Sequence, residues 1–215
     1  MARRLWPLTG VAFFIVWLLG FALHGGASGD STSTSATVSY YMAHQGALHA
    51  SIVLWIFAAV LLVPFAAYLQ TIIAAKATER SPLASAVLAG GTIWGAGILI
   101  TVFTHDALLQ AAIHGQSEVA AVANGLAAAD FAPIVGGIAI FCLAAGLANV
   151  RGGPLPSWLG WVGVVVGLLA VAGPLGIYAF LGAPVWVLIA GAAASWREFT
   201  SARQPAALNR AATPV

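Results

Sequence analysis

Six long apolar segments constrain the fold more than any other feature of this sequence. Each has about 20 residues, the length that a helix needs to cross the hydrocarbon core of a bilayer. Because these segments lack the alternation of barrel strands, and because backbone groups in lipid must be paired within the segment, we expect helices. The sequence therefore predicts an all-α, polytopic bundle of six transmembrane helices, at residues 5–23, 50–73, 83–103, 131–150, 155–175 and 177–196.

The composition agrees with a chain whose solvent is lipid. Charged residues make up 7% of the 215 residues, and the mean hydropathy is +0.96. A soluble domain carries about 25% charged residues, so this chain has too little polar surface to cover a water-soluble body. Its basic residues are too few and too dispersed for a nucleic-acid surface. The expected partner is the lipid bilayer, with a membrane-protein partner or a second copy of the chain as open alternatives.

The basic residues predict the orientation of the six segments. Lys and Arg occur before the first segment, between the second and third, between the fourth and fifth, and after the sixth, whereas the three opposite connections contain none. Basic residues favour the cytoplasmic side, so both termini are predicted to be cytoplasmic. The Arg- and Ala-rich composition indicates a bacterial plasma membrane protein. The basic residues are Arg3, Arg4, Lys76, Arg80, Arg151, Arg197, Arg203 and Arg210.

The remaining parts of the chain support a single membrane domain, residues 1–196. The first segment is expected to be a retained anchor, because its apolar run exceeds that of a signal peptide. Residues 197–215 have little to bury and are predicted to be a disordered cytoplasmic tail. The Gly/Ser/Thr-rich connection up to Tyr40 is predicted to be mobile, and the Ala-rich connection after residue 103 to form one or two short surface helices.

Titratable residues concentrate at the predicted outer side. All five histidines and four of the six acidic residues map there, at the outer ends of four consecutive segments. If these ends converge, they form an outward-facing polar site, which is the functional prediction drawn from this pattern. The residues are His24, His44, His49, His105, His114, Asp30, Asp106, Glu118 and Asp130.

Imidazoles and carboxylates are ligands for Zn²⁺ and similar transition metals. Recognised ligand spacings such as H-E-x-x-H or a cysteine pair are lacking, however, and adjacent helical residues point about 100° apart. His49 is interpreted as the most embedded histidine, and His49 with His105 is the one pair suited to haem, although nothing else selects haem. The candidate metal ligands are His49, His105, Asp106, His44, His114 and Asp130.

Several of these residues also have simpler interpretations. His24, at the end of its segment, is interpreted as an interface residue. Asp130 precedes Phe131 and is interpreted as a helix N-cap. A four-residue spacing is typical of one polar face of a surface helix, and it is shared by Asp106, Gln110, His114 and Glu118.

Small residues and the only cysteine are interpreted as packing features. Glycines recur at the spacing that lets membrane helices approach closely, at Gly91 and Gly95 and again at Gly163 and Gly167. We expect these pairs to pack within the chain rather than to form a dimer face. Cys142 falls inside the fourth segment and is expected to be buried.

The stretch "LANVRGGPLPSWLGWVGVVVGLLAVAG", Leu147 to Gly173, contains a short basic turn followed by Leu-Pro-x-Trp-Leu-Gly. It resembles a large set of uncharacterised bacterial multi-pass membrane proteins classed as domains of unknown function, which have about six spans. The resemblance implies a fold and a location. It implies no mechanism, because the matching residues carry no catalytic group.

The sequence also lacks the signatures of several enzyme classes, including G-x-S-x-G, P-loop and C-x-x-C motifs. We therefore favour a binding, sensing or accessory module with an outward-facing His/Asp/Glu site and without catalysis of its own. The alternatives are a membrane-embedded metal-dependent enzyme and a small-solute transporter or transporter subunit.

Overall fold

The computed structural model of the protein describes residues 5–25, 33–76 and 81–201, and within these ranges it contains helices and no strands. The prediction of an all-α fold is confirmed. The helices are α1 (Leu8–His24), α2 (Thr34–Ala43), α3 (Gln45–Ala74), α4 (Pro82–Ile113), α5 (Ser117–Ala127), α6 (Phe131–Val150), α7 (Ser157–Val171) and α8 (Gly176–Ser201), with a single 3₁₀ turn at Gly173–Leu175 before α8.

Four helical stretches in the described part of the chain are long and apolar enough to cross a membrane: Gln45–Ala74, Pro82–Ile113, Ser117–Val150 and Gly173–Thr200. Two further apolar helices are shorter, α1 with 17 residues and α7 with 15. The coarse prediction of a membrane-embedded helical bundle is therefore confirmed.

The six apolar helices form a closed ring in which every neighbour is antiparallel. Contacts join α1 to α3, α3 to α4, α4 to α6, α6 to α7, α7 to α8, and α8 back to α1. The direction of each pair follows from individual contacts. Gly10 of α1 lies against Phe65 late in α3, whereas Gly20 lies against Trp55 early in α3.

Aromatic side chains fill the centre of this ring. Phe141 packs against Trp94 at 5.9 Å, Trp186 at 5.9 Å and Phe65 at 6.4 Å between ring centroids, and Phe13 packs edge-on against Trp94 at 5.3 Å. These five rings come from five different helices and are at most 1% exposed. Edge-to-face pairs are a favourable aromatic geometry, so this layer ties the helices together at mid-bundle.

Close helix contacts depend on glycine, as the small-residue spacing predicts. Gly91 lies against Ala66, and Gly95 lies 3.4 Å from the carbonyl of Ala59, both measured from the position of an added Cβ. Gly163 and Gly167 likewise face Trp186 and Leu143, in that order. The prediction that these glycines pack within the chain is confirmed, and Cys142 is fully buried as expected.

The connections differ from the prediction in three places. Part of the first outer connection, predicted to be mobile, forms α2, whose start is capped by the Ser33 hydroxyl accepting from the backbone N–H of Ala36 at 3.4 Å. The helix of the third predicted segment, α4, continues to Ile113, and one short helix, α5, follows it. Helix α8 extends to Ser201, past the end of the predicted segment at residue 196. The rest of the predicted tail, residues 202–215, lies outside the described residues.

The bundle has two chemically different ends. The basic end carries Lys76, Arg151 and Arg197, and the histidine end carries His24 and His105. At the basic end a buried amide organises the turn between α6 and α7. Asn149 accepts from the backbone N–H of Leu155 and donates to the carbonyl of Ala145, both at 2.8 Å.

Candidate functional site

Two histidines from different helices meet at the histidine end. The rings of His24, the last residue of α1, and His105 of α4 lie 4.6 Å apart between centroids in an edge-to-face arrangement. Trp55 of α3 contacts both, at 4.7 Å from His24 and 6.1 Å from His105. Only 6% of His24 and 8% of His105 is exposed, so this is a buried imidazole pair beside an indole.

Tyr41 of α2 completes the cluster from above. Its hydroxyl lies 2.5 Å from Nδ1 of His105, and its side chain is fully buried. Burial raises the pKa of the Tyr41 phenol above its usual value, and the negative charge of Asp130 and the neighbouring Tyr40 add to the shift. The phenol therefore stays protonated and donates to His105, which places the proton of the neutral imidazole on Nε2.

Helix α2 is held over the cluster by a second tyrosine. The Tyr40 hydroxyl donates to the backbone carbonyl of His24 at 3.1 Å, which satisfies one of the free carbonyls at the end of α1. The chain leaves α1 through Gly25 at φ 62°, and an added Cβ there would lie 2.5 Å from the Tyr40 hydroxyl. The tyrosine pair thus fixes α2 to both α1 and α4.

An acidic group lies on the α6 side of the same end. The hydroxyl of Thr104, adjacent to His105 in α4, donates to Oδ2 of Asp130 at 2.6 Å. Asp130 occupies the N-cap position of α6, as predicted, but its side chain makes no capping hydrogen bond. Its carboxylate instead ties the start of α6 to α4 and carries the negative charge that reaches Tyr41.

The buried polar atoms that lack a hydrogen-bond partner among the described residues include three at this level: Nδ1 of His24, Nε1 of Trp55 and Oγ of Ser51. Ser51 lies one helical turn from Trp55 on the same face of α3. Buried polar atoms are almost always paired, so unpaired atoms on neighbouring side chains mark a place that can accept a proton or a small polar ligand.

The six predicted metal ligands are not brought together as a group. His105 and Asp130 belong to the cluster just described. His44, His49 and His114 are exposed, and the Nδ1 atom of each contacts the carbonyl four residues earlier, at 2.8–3.0 Å. Asp106 is half-buried and lies 3.5 Å from the amide of Gln110.

Two interpretations of single residues were wrong. His49 is not the most embedded histidine, because it lies on the outward face of the first turns of α3, and the haem pair of His49 with His105 is not formed. His24 is not an interface residue, because α2 covers the end of α1. The polar stripe is also interrupted, since α4 ends at Ile113 and Glu118 belongs to α5.

No three His, Cys, Asp or Glu side chains in residues 5–25, 33–76 and 81–201 are close enough together to hold a metal ion. The site instead relies on residues that sequence reasoning did not select, Tyr41 and Trp55. A usable signal existed for Trp55. Gly20, one turn before His24, leaves room for a large side chain on the facing helix, and Trp55 fills it.

Comparisons with family models, with curated proteins and with solved structures returned no match. The fold and the site therefore define the protein only as a class: a helical membrane bundle with a buried His–His–Tyr–Trp cluster at one end. The resemblance of the Leu147–Gly173 stretch to uncharacterised multi-pass proteins stays a prediction.

Proposed function

We propose that the protein is an integral membrane sensing module that takes up a proton at the His24–His105 pair. The observation that carries this proposal is the contact of the two buried imidazoles, 4.6 Å apart, at one end of the bundle. Imidazole is the side chain whose charge changes closest to neutral pH, and burial favours its neutral form, so this pair is expected to take up the proton below neutral pH. Two of them in contact make the charge state of one depend on the other.

Proton uptake at His105 has a structural consequence. In the neutral state Nδ1 of His105 accepts the Tyr41 hydrogen bond. Once Nδ1 carries a proton, it becomes the donor and the phenol oxygen becomes its acceptor, so the phenol O–H has to turn and donate elsewhere. The charge of Asp130 acts on Tyr41, which makes its carboxylate the candidate acceptor. The hydrogen bond that fixes α2 to α4 is thereby reversed in direction, which is the proposed sensing step.

The groups facing the pair come from every element packed against it. Helix α2 contributes the Tyr41 phenol, α3 contributes the Trp55 ring, and the start of α6 contributes Asp130 through Thr104. An imidazolium beside an indole ring is favourable. Among the described residues, Asp130 is the acidic side chain that is hydrogen-bonded beside His105, through Thr104.

The orientation belongs to the same proposal. We place all six apolar helices across a bacterial plasma membrane, with the basic end and both termini in the cytoplasm and the histidine end outside. The antiparallel ring, the short outer 3₁₀ turn at Gly173–Leu175 and the common location of Lys76, Arg151 and Arg197 support this. The proton sensed would then be that of the outer compartment.

The test is a histidine titration by NMR on the full chain in detergent, with ¹⁵N-labelled imidazoles. We expect His24→Phe to move the titration midpoint of His105 by roughly one pH unit, the size of effect that a neighbouring charge produces. His49→Phe, which removes an exposed histidine, is the matched control and leaves His105 unchanged. Independent titration of His24 and His105 would overturn the proposal.

The alternatives are distinguished in the same sample. Stoichiometric binding of Zn²⁺ that is lost in His24→Phe would favour a metal-dependent enzyme over a proton sensor. A small-solute transporter is less well supported, because the layer of aromatic rings around Phe141 fills the bundle centre between its two ends.

A further inference from the structure

A cavity of about 350 Å³ opens at the basic end, between the end of α3, the start of α4 and the turn that follows α6. Its polar side is formed by Lys76, Ser81 and Arg151, and its apolar side includes Ile73 and Leu83. A cavity with cationic and apolar walls at the end of a membrane bundle matches a ligand that has an anionic head and an apolar body.

Both cations are available to such a ligand. Lys76 and Arg151 are exposed, and neither forms an ion pair with any residue in the described ranges. Among the described residues, Nζ of Lys76 makes one long contact, to the carbonyl of Gly153 at 3.5 Å. Glu79 and Arg80, which follow Lys76 in the sequence, lie outside the described residues.

The backbone adds to the positive potential. Helix α4 begins at Pro82, and its N-cap Ser81 lines the cavity. The first turn of a helix presents unpaired N–H groups and the positive end of the helix dipole, which favour an anion. This contribution supplements the two side-chain cations.

We propose that this cavity binds the phosphate of an anionic phospholipid headgroup. Long basic side chains reach the headgroup level while their stems cover apolar surface, and anionic lipids attract basic residues near the membrane surface. Ile73 and Leu83 supply an apolar wall in the same cavity, against which the start of an acyl chain can pack. The proposal is independent of the histidine end.

The experiment measures lipid binding to the detergent-purified full chain by native mass spectrometry. Phosphatidylglycerol is titrated against phosphatidylcholine, whose headgroup has no net charge. We expect phosphatidylglycerol to bind at least about tenfold more tightly. One basic residue near an anionic membrane surface contributes about 1 kcal/mol of binding free energy, so each cation lost should weaken lipid binding about fivefold. The double variant Lys76→Gln/Arg151→Gln should therefore bind the lipid roughly 25-fold more weakly.

Three controls make the outcome decisive. Arg197→Gln removes a cation at the same end that lines a different cavity and should change binding by less than about twofold. Lys76→Arg keeps the charge and should retain binding, which separates loss of charge from loss of folding. Glu79→Gln removes the carboxylate three residues after Lys76 in the sequence, and binding is expected to stay equal or become tighter.

Equal binding of the two lipids, or equal losses in the double variant and in Arg197→Gln, would overturn the proposal. Competition with inorganic phosphate tests whether the site takes a soluble phosphate instead of a lipid headgroup. If millimolar phosphate displaces the lipid and binds equally well alone, the site takes soluble phosphates and its assignment to a headgroup is wrong. If phosphatidylglycerol stays bound in the presence of millimolar phosphate, the assignment to a lipid headgroup is supported.

Discussion

The Tyr41 hydroxyl donates a hydrogen bond to Nδ1 of His105 at 2.5 Å, across 64 residues of sequence. This bond joins a short surface helix to a long apolar one and selects the imidazole tautomer with its proton on Nε2. The same bond holds His105 in place beside His24, whose ring contacts that of His105. The arrangement makes the histidine end of the bundle depend on one phenol.

Tyr41→Phe is expected to lower the stability of the folded protein by about 1–3 kcal/mol, because Nδ1 of His105 is left buried without a partner. Cys142, the only cysteine and fully buried, provides the reporter, since a thiol-reactive dye labels it only on unfolding. Tyr178→Phe is the control, because Tyr178 is 62% exposed. Equal melting temperatures for the two variants would contradict the structural role of the bond.

The alkaline pH dependence of stability provides a second check on Tyr41. Its folded-state pKa is raised by burial, so the folded protein binds this proton more tightly than the unfolded chain. The contribution is therefore complete below about pH 10, the unfolded value, and is lost as the pH rises further. We expect Tyr41→Phe to flatten the decline of stability above pH 10, measured by the same thiol reaction, whereas Tyr178→Phe leaves it unchanged.

Gly137→Ala is expected to disrupt the contact between α4 and α6. An added Cβ would overlap the backbone of Trp94, which has no flexible end to move aside. Overpacking of this kind costs about 1–3 kcal/mol or more. Gly136→Ala is the matched control in the same turn of α6, because nothing lies within 4 Å of its Cβ position. Similar folded yields for the two alanine variants would show that the helices do not approach as described.

Asn149→Leu should destabilise the turn between α6 and α7. Asn149 is 1% exposed, and its amide oxygen accepts from Leu155 N–H, which the variant leaves buried and unpaired. We expect a loss of about 1–3 kcal/mol and faster backbone hydrogen exchange at Leu155. Asn124→Leu on α5 is the comparison, and exchange at Leu155 should not respond to it. If hydrogen exchange at Leu155 is unchanged in Asn149→Leu, the Asn149 side chain does not stabilise this turn.

Removal of the hydroxyl in Thr104→Val should loosen the start of α6. The Thr104 hydroxyl donates to Asp130 at 2.6 Å, and charge-assisted hydrogen bonds are worth about 1.5–3 kcal/mol. Thr92→Val serves as the control, because the Thr92 hydroxyl bonds only the carbonyl of Leu88 in its own helix. Protection of the first turn of α6 against hydrogen exchange should fall in Thr104→Val alone. Equal protection of the first turn of α6 in both variants would show that Thr104 does not hold the Asp130 carboxylate.

The sequence by itself determined that the chain is a helical membrane protein and that its histidines gather at one end. Both conclusions follow from local properties. Long runs without charge can satisfy their backbone only as helices in lipid, and the five histidines all lie near the ends of such runs that have no Lys or Arg beside them. The close packing at the Gly91 and Gly95 pair could also be predicted from the sequence, because close helix contacts require small side chains wherever they occur.

Only the tertiary structure decided which histidines form the site. The direction in which a side chain points depends on the rotation of each helix in the ring, and that rotation is set by contacts between distant segments. Gly20 against Trp55 turns His24 inward, whereas His49, two turns before Trp55 on α3, faces outward. Tyr41 enters because part of a polar connection folds as α2 over the open end of the ring, where its buried phenol finds an acceptor in His105.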